Sequence, residues 1–208
     1  MPILPLPRLI VLNLSRNFIK DFSQESVSLL RSLQELDLSF NQLERLHGDM
    51  WKPLPRLTAL DMSHNPVTAL DAKAFTNLER LDRLSLQGLD YLRGVDVGAL
   101  GNLTHLRYLS IDTYQRLLPR VSLATLLGSL RHLKELQVHL KENQLVDQLG
   151  GSFSPKLRVL EIRGKNLENI SSKAFRVSPS SLFTNFAPIR NFTREGNLDV
   201  GERREERQ

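Results

Sequence analysis

Cysteine is absent from this 208-residue chain, which excludes disulfides, thiolate metal sites and cysteine nucleophiles and leaves the redox compartment unreadable. Aromatic residues are scarce at 6%, and no apolar run reaches the ~18 residues that a membrane-spanning helix needs. Charge of one sign never gathers in a run. Lysine and arginine number 28 against 23 aspartate and glutamate, a net charge of +5, so the basic balance is spread too thinly to point to nucleic acid. Phosphate-binding loops, H-E-x-x-H, G-x-S-x-G and G-x-G-x-x-G do not occur. Those absences leave no catalytic residue, metal ligand or cofactor to name. What remains is 40% hydrophobic, ordinary for a globular chain and enough for one core or a modest array.

The opening "MPILPLPRLIVLNL" is apolar but carries prolines at 2, 5 and 7 and no basic leader. It runs directly into a patterned segment, so it reads as structure rather than as a secretory signal.

In "LQELDLSFNQLERL", residues 33–46, leucines 33, 36 and 38 are followed by Asn41, Leu43 and Leu46. A helix repeats its apolar face at three and four and a half-buried strand at two, so the spacing fits neither alone. A short strand holding Leu36 and Leu38 inward, entered through Leu33 and left by a turn near Asn41, satisfies it. The same wording starts at Leu9, Leu33, Leu57, Leu81, Leu106, Leu133 and Leu157, at intervals of 24, 24, 24, 25, 27 and 24 residues. All three inward slots of all seven units are apolar, which composition alone does not produce. Apolar residues also recur 18 and 21 positions after the first three starts, as Val27 and Leu30, Trp51 and Leu54, and Phe75 and Leu78. They are expected to fold the return segment under the strand, with the only tryptophan in the core.

This pattern resembles the leucine-rich repeat, L-x-x-L-x-L-x-x-N/C-x-L, in which each unit gives one strand of a horseshoe. The resemblance covers about residues 6–177. It implies an α/β solenoid, a right-handed superhelix with a parallel sheet on its concave face. It also implies that Asn17, Asn41 and Asn65 turn inward and hydrogen-bond backbone groups of adjacent turns as a structural ladder. Unit length and the "AF" of "AKAFTNL" and "SSKAFRV" are similar to extracellular repeats, and among those to insect cell-surface ectodomains of the chaoptin and Toll kind. Leu89, Tyr114, Lys141 and Lys165 stand where that pattern has asparagine, so the later turns are expected to be less regular. Cysteine-rich end caps of the family are missing, and the chain begins almost inside its first unit. A piece of a longer ectodomain or a truncated gene model is therefore expected.

The array is expected to occupy residues 1–177. Residues 178–208 form a degenerate edge segment and a charged, apolar-poor tail expected to be disordered, in which Pro188 replaces the third inward residue.

Parallel strands ~4.8 Å apart align equivalent positions into columns of roughly 29 Å over six gaps. One column holds Asn13, Asp37, Asp61, Ser85, Ser110, Gln137 and Glu161. A second, two residues on, holds Ser15, Ser39, Ser63, Gln87, Asp112, His139 and Arg163. Acidic residues gather early and Arg107, Lys134, Arg158 and Arg163 late, a gradient able to orient a partner. Asp37, Asp61, Phe40, His64, Arg83, Tyr108, His139 and Arg163 are the candidate partner-binding residues, because aromatic and arginine side chains anchor protein interfaces. The alternative for all of them is a plain solvated strand face. Asp37 and Asp61 should be neighbours, but an open face without a pocket gives them no desolvation for acid–base or metal work. His64 and His139 lie too far apart to share zinc.

Four N-x-S/T sequons occur, at Asn13, Asn102, Asn169 and Asn191. Asn102 and Asn169, in return or turn segments, are the expected glycosylation sites if the chain is secreted.

Together these features imply a non-catalytic protein-binding module of a cell-surface protein, working in adhesion or receptor recognition through the concave face. Location and role come from the resemblance. The other reading is a cytosolic scaffold or adaptor holding a signalling protein, which a chain without cysteine or leader also suits. In either case the expected partner is a protein, not nucleic acid.

Overall fold

The computed structural model describes residues 6–113, 123–141 and 154–164. Nine strands are present among them: β1 (Val11–Asn13), β2 (Glu35–Asp37), β3 (Ala59–Asp61), β4 (Ala69–Leu70), β5 (Arg83–Leu86), β6 (Gly94–Val95), β7 (Tyr108–Asp112), β8 (Glu135–Leu140) and β9 (Val159–Gly164). One short helix, α1, spans Leu123–Leu127. Seven strands form one parallel sheet in the order β1-β2-β3-β5-β7-β8-β9, and β4 pairs with β6 in a small second ladder. Each coil therefore adds one strand beside the previous one, the solenoid that the leucine spacing predicts.

The register is in step throughout. Leu12 pairs with Leu36, Leu36 with Leu60, Leu60 with Leu84, Leu84 with Leu109, Leu109 with Leu136 and Leu136 with Leu160. A slip by one residue would turn a whole strand inside out. The inward leucines are buried in the middle coils, with Leu33, Leu38, Leu81, Leu84 and Leu106 at 0% exposure. Return segments close the other side of the core. Val27, Trp51 and Phe75 are buried, and the Trp51 Nε1 donates to the Ala74 carbonyl of the next coil at 2.7 Å. The expected core role of the tryptophan holds, with its one polar atom satisfied. Successive return segments also touch closely: a Cβ on Gly48 would lie 1.9 Å from Thr76 Oγ1.

The asparagine ladder is present and has two grades. Asn41 Nδ2 donates to the carbonyls of Leu14, Leu38 and Ser39 at 2.9, 3.0 and 3.2 Å, and its Oδ1 accepts from Ile19 N at 3.0 Å. Asn65 repeats this one coil later with Leu38, Met62, Ser63 and Leu43. Asn17 bonds only Leu14 and Ser15 of its own coil. Each inner asparagine thus satisfies backbone groups that no ladder of strands reaches.

Where the asparagine ends, the strands lengthen. β1, β2 and β3 are three residues long, whereas β8 and β9 reach six. In the early coils the first polar column acts as a stop, because Asn13, Asp37 and Asp61 each accept the N–H two residues on through Oδ1, at 2.8–2.9 Å. Such local side-chain bonds compete with the ladder. Leu89 fills the asparagine slot of the fourth coil fully buried. Tyr114, Lys165, Asn169, Asn191 and residues 165–208, with the expected array end and tail, lie outside the described residues.

Candidate binding surface

The outward strand positions align as the spacing requires. Asn13, Asp37, Asp61, Ser85, Ser110, Gln137 and Glu161 are consecutive register partners, and beside them run Val11, Glu35, Ala59, Arg83, Tyr108, Glu135 and Val159. Asp37 and Asp61 are neighbours across β2 and β3.

The face has two chemically different halves. On β7 to β9 the polar groups other than Glu135 are tied to one another. Gln137 Oε1 accepts from Gln87, Tyr108 and Ser110 at 3.2, 3.1 and 2.9 Å, and Gln137 Nε2 donates to Glu161 Oε2 at 2.9 Å. Arg163 closes the chain by donating to Glu161 Oε1 at 2.8 Å from both Nε and Nη2. On β1 to β3, Glu35, Asp37 and Asp61 have no cationic partner among the described residues. They line an open hollow of about 390 Å³ with Asn13, Ala59, Arg83 and Tyr108. The Arg83 guanidinium sits 5.0 Å from the centre of the Tyr108 ring, a cation–π contact that holds both across the boundary between the halves.

Phe40 and His64 lie beyond the strands themselves. They follow the strand ends, at φ 53° and 57°, and share that left-handed conformation with Arg16 at 57° and Gly88 at 67°. In the first four coils the residue before the asparagine slot takes it, whereas Thr113 and Leu140 of the later coils do not. These four stack beyond the strand ends. Arg16 lies 4.3 Å over the Phe40 ring, Phe40 stacks on His64 with centroids 4.2 Å apart, and a Cβ on Gly88 would lie 2.1 Å from His64 Nδ1. Glycine at the fourth member of a 24-residue series was the sequence signal for this column.

The second polar column is also less open than its composition suggests. Ser39, Ser63 and Asp112 are buried. Asp112 Oδ2 accepts from Gly88 N at 2.8 Å and from Lys141 Nζ at 3.0 Å, while Oδ1 has no hydrogen-bond partner and lies 3.7 Å from His139 Nδ1. Lys141 also pairs with Asp90. Burial of the ammonium works to lower the Lys141 pKa, but the hydrogen bonds and charges of Asp90 and Asp112 outweigh it and hold the pKa above the ordinary lysine value. Nothing in the spacing marked this cluster, because it joins residues of three different coils. Arg107, Lys134 and Arg158 stand just before β7, β8 and β9, on the rim rather than on the face.

Among the described residues no group of three metal-ligating side chains converges, and no helix is long and apolar enough to cross a membrane. Asn102 is exposed, its amide donating to the Ala72 carbonyl at 3.3 Å.

The family model for the leucine rich repeat matches residues 7–67 and 55–113. The chain belongs to the leucine rich repeat family. It is 27% identical to chaoptin of Tribolium castaneum over 92% of its length, and 31% identical to leucine-rich repeat-containing G-protein coupled receptor 5 of Rattus norvegicus over 55%. It spans 27% of the first relative and 12% of the second. Solved structures of the same fold include the Drosophila Toll–Spatzle complex in glycosylated form, with TM-score 0.60, 17% identity, and 77% of this chain covered against 21% of that one. The TLR13–ssRNA13 complex matches with TM-score 0.60 at 24% identity, over 84% of this chain and 24% of that one. The leucine-rich repeat fold that the spacing predicts is thereby shared with the Toll and TLR13 structures.

Proposed function

We propose that this chain is a non-catalytic protein-binding module of a cell-surface leucine-rich repeat protein, and that it takes its protein partner on the β1–β3 half of the sheet face. The observation that carries the reading is the contrast between the halves. On β7–β9 Gln137, Glu161 and Arg163 are already tied to one another, so a partner would have to break that network, whereas Glu35, Asp37 and Asp61 offer charge to the open hollow with no cation within ion-pair distance among the described residues. A partner presenting arginine or lysine fits there. Chaoptin and a G-protein coupled receptor among the relatives support a surface role in adhesion or recognition, with glycans at Asn102 and Asn169.

Asp37→Asn with Asp61→Asn tests the site cleanly, because the amide oxygen still accepts the Ser39 and Ser63 N–H groups while the charge is removed. The double variant should melt within about 0.5 kcal/mol of the parent and lose most of its binding to a cell-surface partner captured by the parent chain. Undiminished binding would remove the acidic half from consideration. Location is checked separately: digestion of the native protein with an N-glycosidase should increase its mobility, and an unchanged mobility would favour a cytosolic scaffold.

A further inference from the structure

The side of each coil that leads into its strand carries a feature the sheet face does not use. A tight turn precedes every one of the seven sheet strands, closed by the N–H of Leu9, Leu33, Leu57, Leu81, Leu106, Leu133 or Leu157 to the carbonyl three residues before, at 3.0–3.2 Å. The flanking leucines of the middle five turns are buried, so the two central residues of each turn face water. Those tips hold Arg8, Arg31, Arg56, Arg80, Arg131 and Lys156, one in each of six turns, and His105 in the seventh. A second row lies one residue inside them, where backbone bonds run from Arg107 N to Asp82 O, Lys134 N to Arg107 O and Arg158 N to Lys134 O.

Both rows together contain nine arginine and lysine residues and only Glu79 and Asp82 as carboxylates. Asp82 is engaged by Arg107. The other eight cations form no ion pair among the described residues. At ~4.8 Å per inter-strand gap the spine runs roughly 29 Å along the solenoid axis.

We infer that this basic spine docks a linear sulfated polysaccharide laid across the coils. A cation in six of seven successive turns matches a polymer that repeats its anions. Arginine, which prevails here, forks two N–H donors toward oxyanions. A protein partner would need a buried aromatic or apolar anchor, and a single nucleic-acid strand would need rings on which its bases stack. Neither row holds phenylalanine, tyrosine or tryptophan; their rings are His105 and His132, and Ile10 at the first coil is their one large apolar side chain. The spine is separate from the acidic half of the sheet face, so each surface can be lost without the other.

The test uses the full chain on immobilised heparin eluted with salt. Arg56→Glu, Arg80→Glu and Arg131→Glu together should lower affinity roughly tenfold or more near 0.15 M salt. Lys20→Glu, Arg45→Glu and Lys73→Glu, exposed elsewhere on the coils, make the same change in net charge and should bind as the parent does. If charge reversal unfolds the chain, the corresponding Arg→Gln triple replaces it and should show the same loss in smaller degree. Heparin stripped of sulfate should fail to compete. Equal loss in both charge-matched triples, retained binding in the spine triple, or equal competition by a single-stranded oligonucleotide would each overturn the inference.

Discussion

Lys141 reaches back one coil to place its ammonium 3.0 Å from Asp112 Oδ2, and the Asp112 side chain has 0% exposure. In the earlier coils the N–H of the left-handed residue is taken by a main-chain carbonyl, as Arg16 N is by Ser39 O, Phe40 N by Ser63 O and His64 N by Gln87 O. At Gly88 the Asp112 carboxylate takes it instead. A buried charge and its counter-ion thus carry the stack past the coil where Leu89 has replaced asparagine.

Removing the counter-ion should therefore cost more than a surface ion pair would. Lys141→Met leaves Asp112 buried with an unpaired charge, and since the lysine is itself one-third exposed, the expected loss is about 2–3 kcal/mol rather than the 3–5 of a fully buried pair. Adding Asp112→Asn, which keeps an acceptor for Gly88 N, should restore part of it. Urea denaturation of the three variants measures both effects.

The same contact sets an alkaline limb of stability. The folded pKa of Lys141 is raised above the ordinary lysine value of 10.5, so its contribution is whole below the unfolded pKa and is lost as pH rises through the folded one. The denaturation midpoint should fall above about pH 10.5, and the fall should be shallower in Lys141→Met. A parent and variant with parallel profiles would contradict this.

Asn41→Ala should be much more damaging than Asn17→Ala. The first removes four hydrogen bonds, two of them to the preceding coil, from a buried site; the second removes two bonds within an exposed coil. At roughly 1 kcal/mol per bond plus the desolvation of the groups left behind, the expected losses are about 4 and about 1–2 kcal/mol. Thermal melts of the two variants decide the point.

Gly88→Ala should destabilise for two separable reasons, the left-handed φ of 67° and the collision with the His64 ring. We expect about 1–3 kcal/mol in total. His64→Ala in the same chain should remove the steric part and leave the backbone part, so the double variant should be less destabilised than the sum of the two single changes.

Much of the fold was legible because its unit is short and repeats. Leucine spacing placed every inward residue and the whole Asn13-to-Glu161 column, since a parallel sheet built at a constant interval turns sequence distance into register. The asparagines at 41 and 65 were equally readable, whereas Asn17 is exposed and bonds only within its own coil, not into an adjacent turn. The left-handed turn at Phe40 and His64 was not readable, because leucine spacing says nothing of φ. The Asp112–Lys141 contact was hidden because its partners are 29 residues apart, at non-equivalent positions. Basic tips escaped a scan for charged runs for the same reason that they matter in three dimensions: one residue in about 24 is dilute along the chain and contiguous across the coils.

Because each inner asparagine bonds into the coil before it, no coil among the first three holds its bends alone, and they should gain and lose structure together. With Leu89 that side-chain sharing stops, and the next junction rests on the β5–β7 ladder, on packing and on Asp112. Amide protons of the early coils should then exchange with solvent as one block and those beyond β5 as another, so a chain so regular in outline would open at a seam one-third to one-half of the way along it.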